Sequence, residues 1–186
     1  SGMRRQQSGD RMDDLSRRAG ELTQRQKQFE EQLKKAYPQG PDGRPQVGQP
    51  GQSQQSVERM AQEKESMARE WSRLEQQMKD TARAMDSGQK SAATRLRDAL
   101  GEAQQNELGL RLKFGSEWMR RGLGPYLPPR EKVVTDTLER LTQQVEQAKQ
   151  LAAQGGANGD RGDRQEQAVS QLERLRNQMR GQLQQG

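Results

Sequence analysis

From Asp10 to Tyr37 the apolar residues Met12, Leu15, Ala19, Leu22, Phe29 and Leu33 recur at alternating intervals of three and four, with Gln26 in the one slot left polar. This spacing lays a single stripe along a helix and predicts a seam that pairs with another helix. Pro38 ends it. From Ser56 to Asp86 the pattern returns more cleanly: Val57, Met60, Met67, Trp71, Leu74, Met78 and Met85 share one series, with Lys64 and Thr81 at its polar slots. At about 1.5 Å per residue this second helix spans roughly 45 Å. Ser87-Gly88 supplies a stop.

The next seam, Ala93, Leu96, Leu100, Ala103, Leu110 and Phe114, is displaced by one residue from a continuation of the second. A separate third helix is therefore expected from Ser91 to Arg121. Ala92, Ala99, Leu108, Leu112, Trp118 and Met119 lie off its stripe, so it is apolar on two faces, as a central bundle helix is. Leu108 to Phe114 also alternates strictly, which is the pattern of a half-buried strand. A lone strand has nothing to pair with, so helix is favoured over 107–115 while strand stays open. Gly122 to Arg130 reads as a turn stiffened by three prolines. A fourth helix, Glu131 to Gln154, is seamed by Val134, Leu138, Leu141, Val145, Ala148 and Ala152. Gly155 to Gly162 is expected to break the chain. A fifth helix from Asp163 to Gln184 carries Ala168, Leu172, Leu175, Met179 and Leu183.

These seams predict an all-α protein, an elongated antiparallel helical bundle or coiled coil of about five helices. The expected organisation is an N-terminal amphipathic helix over 1–37, a Pro/Gly/Gln-rich linker over 38–55, and a helical bundle over 56–184. Turns fall near 87–90, 122–130 and 154–162. Whether the first helix is docked, swapped or loose stays open. Ser1-Gly2 before Met3 reads as a tag remnant, and the chain as a piece of a larger protein.

Composition sharpens this picture. Only 28% of the 186 residues are hydrophobic and 3% aromatic, and isoleucine is absent. A thick globular core is excluded, because too little apolar surface is available to offset the entropy of ordering. Disorder is disfavoured, since Gln, Arg, Glu, Ala, Lys and Met are good helix formers and the apolar residues are evenly spaced. No run approaches the roughly 20 apolar residues that span a bilayer.

With no cysteine and no histidine, thiolate and imidazole chemistry are unavailable, and no catalytic, cofactor-binding or metal-binding residue is assigned. Carboxylates at helical spacing, Glu63/Glu70 and Glu70/Glu75, are expected to pair with cations on solvated faces, as Glu65 and Arg69 do at i,i+4. The net charge of +6 invites a nucleic-acid reading, but both signs are interleaved throughout and no basic stripe carries aromatics. Arg161-Gly162-Asp163 matches an adhesion tripeptide and sits in a polar, glycine-rich stretch. The densest cluster of unusual residues surrounds the third turn: Trp118, Arg120, Arg121, Tyr126, Pro128 and Pro129. Trp, Tyr and Arg dominate interface hot spots, so these six are the candidate partner-binding residues, against the alternative that they plug the end of a helical hairpin.

The phrases Ala61 to Met67, Arg83 to Ser87, Leu96 to Gln105 and Trp118 to Gly122 resemble the Gln/Arg-rich helical region of large, membrane-associated bacterial proteins of acidobacterial type. That resemblance spans roughly 10–180 and implies a soluble part of a membrane-anchored envelope protein, with no functional residues to carry over. The expectation is a non-enzymatic helical scaffold or protein–protein interaction module. Its partner is a protein, a second copy of itself included. A nucleic-acid or polyanion binder is the alternative.

Overall fold

The seams predicted for the first, second and fourth helices become contact lines, whereas the third holds only through Ala103, with Leu110 and Phe114 exposed, and the Leu172, Leu175 and Met179 seam is exposed throughout. The computed structural model describes residues 2–42 and 53–185, with side chains over 7–42, 53–154 and 168–182. Its helices are α1 (Gly2–Ala36), α2 (Gln54–Met85), α3 (Lys90–Gln105), α4 (Leu108–Arg120) and α5 (Pro128–Gln185). A single 3-10 turn, Gly124–Tyr126, precedes α5. The protein is all-α, and no β-strand occurs among the described residues.

Cross-helix bonds give the directions. Arg25 reaches Glu63 and Arg18 reaches Gln77, so α1 and α2 are antiparallel. Ser16 donates to Glu146 and Lys149 meets Asp13, so α1 and α5 are antiparallel too. Arg97 pairs with Asp86 across the α2–α3 turn, and Arg120 pairs with Glu58 and Glu65 near the start of α2. α3 and α4 thus run end to end back along α2. The result is an up-down-up-down bundle of four columns, α1, α2, α3–α4 and the first half of α5.

The core is thin, as the composition requires. Met12, Leu15, Ala19, Leu22, Phe29 and Leu33 are all buried, as are Met60, Met67, Trp71, Leu74, Met78 and Met85. Alanines at 92, 93, 99 and 103 let α3 pack closely between α2 and α5. Each buried Leu or Met contributes about 1.5–3 kcal/mol. α2 starts at Ser53, whose hydroxyl accepts from the Ser56 amide at 3.2 Å. α5 opens on Pro128 and Pro129, which cost no hydrogen bond in a first turn.

The helix divisions differ from those predicted in two places. The expected third helix is two helices, because Glu107 adopts a left-handed conformation (φ 55) and ends α3. Side-chain donors reinforce the break: Asn106 Nδ2 joins the Asn106 amide on Glu102 O, and Arg111 Nε donates to Asn106 O, each at 3.0 Å. The alternating segment 107–115 is helical from Leu108, as favoured, with Leu108 and Leu112 facing the core and Leu110 and Phe114 facing out, each an i,i+4 pair. Conversely, no turn interrupts 154–162, and the expected fourth and fifth helices are one, α5. Glycines at 155, 156, 159 and 162 each cost up to about 1 kcal/mol relative to alanine but leave every amide able to bond, and no proline is present to remove one.

α1 is a full column of the bundle, reached across the expected linker, which falls mainly on 43–52, outside the described residues. At the other end the bundle closes near Ala152, whose carbonyl accepts from Gln89 Nε2. α5 continues past it, and every residue from 168 to 182 is exposed.

Candidate functional site

Two features meet at the end of the bundle formed by the start of α5. One is a polar cluster inside the core, and the other is a cleft directly above it.

Gln26 on α1, Lys64 on α2 and Glu131 on α5 are each seam residues, so the packing that buries the seams forces them together. All three are essentially solvent-free. Lys64 Nζ donates to Gln26 Oε1 at 2.6 Å and pairs with Glu131 Oε2. Gln26 Nε2 donates to the same Glu131 oxygen at 2.7 Å. Thr135 Oγ1 lies 3.3 Å from Gln26 Nε2 and donates to Glu30 at 2.7 Å. The Lys64 ammonium also sits 4.6 Å above the Phe29 ring. Burial pushes Lys64 below the ordinary lysine range, and the neighbouring Glu131 carboxylate opposes that shift. Gly115 on α4 makes room for the pair. A Cβ there would meet Lys64 Cε at 3.0 Å and Glu131 Oε1 at 3.1 Å.

The break at Glu107 turns α4 onto α2 and leaves it only sparse contact with α5. The gap between them is the cleft, lined by Arg111, Phe114, Gly115, Trp118, Leu127, Arg130, Glu131 and Val134. Its free volume of about 20 Å³ has room for a single water molecule, too little for an organic substrate. The rim is different. Leu110, Phe114 and Trp118 stand at i, i+4 and i+8 on α4, and Leu110 and Phe114 remain 47% and 42% exposed. Arg130 stacks on Trp118 with its guanidinium carbon 3.9 Å from the ring centroid. Beneath, Trp118 joins the smaller core cluster of Phe29, Leu33, Met60, Ala61, Met119 and Leu127.

The six candidate residues divide. Trp118 lines the cleft. Arg121, Tyr126 and Pro129 are exposed and do not line it, Tyr126 being 59% exposed. Arg120 is a clip, bonded to both Glu58 and Glu65, whose carboxyls it holds below the ordinary range. Glu65 therefore reaches across to α4 instead of making its hydrogen bond to Arg69. Pro128 is buried at the start of α5. No known family, curated protein or solved structure matches the chain. The site is thus read from its own geometry.

Sequence reasoning placed Gln26 and Lys64 in their seams without giving them chemistry, and it passed over Glu131. A signal for Glu131 existed, since stepping the α5 seam back three residues from Val134 lands on it. Phe114 was expected in the third seam and is instead 42% exposed, and Arg111 and Arg130 carried no signal, because the cleft depends on the Glu107 break. Among the described residues no group of three or more acidic side chains could hold a metal ion, and no helix is long and apolar enough to cross a membrane. The side chains of Arg161 and Asp163 lie outside the described residues.

Proposed function

We propose that this chain is a non-enzymatic helical interaction module that docks a protein partner at the α4–α5 cleft. The supporting observation is the exposed apolar and aromatic rim of that cleft. Leu110 and Phe114 stand 47% and 42% exposed beside Trp118, on whose ring Arg130 stacks. Arg111 and Arg130, which line the cleft with Phe114 and Trp118, meet no carboxylate among the described residues. Apolar and aromatic anchors ringed by unmatched cations suit an acidic segment with apolar side chains, and Trp, Tyr and Arg are the residues that carry most binding energy at interfaces. The absence of histidine and cysteine, which removes imidazole and thiolate chemistry, supports the non-enzymatic reading. The resemblance to membrane-associated bacterial proteins supports a place in the cell envelope, as the soluble part of an anchored protein.

The test compares the wild-type chain with Leu110→Ser/Phe114→Ser as bait in cross-linking from native lysate. Both positions are half-exposed, so the variant keeps its helicity. A protein retained by the wild type and lost by the variant is the expected result. Equal retention by both would place the interaction elsewhere. Retardation of nucleic acid at low salt, lost on replacing Arg111, Arg121 and Arg130, would favour the polyanion reading instead.

A further inference from the structure

The exposed end of α5 carries a second apolar stripe, and its position on the helix is informative. Ala168, Leu172, Leu175 and Met179 are spaced four, three and four apart, and Leu172, Leu175 and Met179 are each more than half exposed. The stripe that faces the bundle runs through Leu138, Leu141, Val145, Ala148 and Ala152. At about 100° per residue, the exposed stripe lies roughly 170° around the helix from the buried one. The bundle's own columns approach α5 from the other side.

We propose that this stripe pairs antiparallel with the same stripe of a second copy of the chain. The order Ala, Leu, Leu, Met is self-complementary when reversed. Centred between Glu173 and Arg174, the pairing sets Leu172 against the partner's Leu175 and small Ala168 against the partner's long Met179, so each layer has similar volume. A parallel pairing would set alanine on alanine and methionine on methionine, leaving a void at one end and crowding the other. The flanking positions agree in charge. The antiparallel arrangement places Arg176 beside the partner's neutral Val169 and Gln171 beside the partner's Gln178, so no like charges oppose. The contact is isologous and closes on itself as a two-fold dimer. Four short layers put it at the small, reversible end of interfaces.

Sedimentation equilibrium across roughly 0.01–1 mM tests this, a range suited to a weak dimer. The weight-average mass is expected to rise from 21.1 kDa toward twice that value. Leu175→Glu, an exposed position at the centre of the pairing, is expected to abolish the rise while circular dichroism and Tm stay unchanged. Because the chain has no cysteine, single substitutions report orientation. Ala168→Cys mixed with Met179→Cys should yield the mixed disulfide several-fold over either symmetric one. A chain that stays monomeric throughout, an undiminished rise in Leu175→Glu, or a dominant Ala168→Cys symmetric disulfide would each overturn the proposal. The cleft substitutions Leu110→Ser/Phe114→Ser leave this equilibrium untouched, so the two readings fail separately.

Discussion

Replacing Lys64 with methionine isolates the energetic role of the buried polar cluster. Methionine matches the unbranched lysine stem and already occupies the neighbouring seam slots, Met60 and Met67, so the stem packing survives. What is lost is the ammonium. Glu131, 1% exposed, keeps the Gln26 amide as a donor but loses its counter-charge, and Gln26 Oε1 loses its donor among the described residues. Removing one member of a buried pair costs about 3–5 kcal/mol, because the surviving charge is uncompensated. Against a typical total of about 5–15 kcal/mol this is a large fraction, and it corresponds to a Tm fall of roughly 6–20 °C in a chain of this size. The assay is urea unfolding followed by far-UV circular dichroism, with wild type, Lys64→Met, and the triple variant Gln26→Leu/Lys64→Met/Glu131→Leu. The triple should be within about 1 kcal/mol of wild type or more stable by up to about 4 kcal/mol, since no polar group is then stranded. A single variant costing under about 1 kcal/mol, or a triple as unstable as the single, would refute the reasoning.

Other outcomes follow from local geometry. Gly115→Ala should cost about 1–3 kcal/mol in urea unfolding, as an overpacked core does, because its new carbon presses on Lys64 and Glu131; the loss should shrink in the triple variant. Ser53→Ala should lower stability by about 1 kcal/mol through the lost cap of α2, seen as a small Tm drop. Glu58 and Glu65 have lowered folded pKa values because of their hydrogen bonds to Arg120, so the stability they add is complete above the ordinary value of 4.5 and is lost as pH falls through the lowered values. Glu58→Gln/Glu65→Gln should therefore flatten the acid limb of stability against pH, and an unchanged limb would count against the clip. Arg130→Ala should cost about 0.5–1 kcal/mol and shift Trp118 fluorescence by exposing the ring face.

Much of this architecture was legible in spacing alone, for a physical reason. In a thin bundle nearly every apolar residue is a seam residue, so the series through Met12–Leu33 and Met60–Met85 predicts the buried positions with little competition from other packing. The two helix divisions that differed share another cause. At Glu107 the chain turns without glycine or proline, and tertiary packing of α4 on α2 holds a residue type that seldom adopts φ near 55. At 155–162 the glycines signal a break, yet intrinsic propensity is a weak prior and the helix runs on. The candidate site was legible only in part. Trp118 and Tyr126 stand out by rarity, whereas the cleft and the Lys64–Glu131 pair arise from three helices meeting, which no single seam displays.

The continuity of α5 turns sequence length into distance. The Trp118 cleft abuts α5 near Arg130 and the second apolar stripe is centred near residue 174, so about 65 Å of one helix separates them. The helix also fixes the angle between them, because each residue inserted or removed swings one surface about 100° around the other. Deleting two residues between them would shorten the separation by only about 3 Å while carrying the stripe from the far side of the helix round to the bundle side. α5 therefore acts as both spacer and protractor, and length changes in it are felt first as rotation.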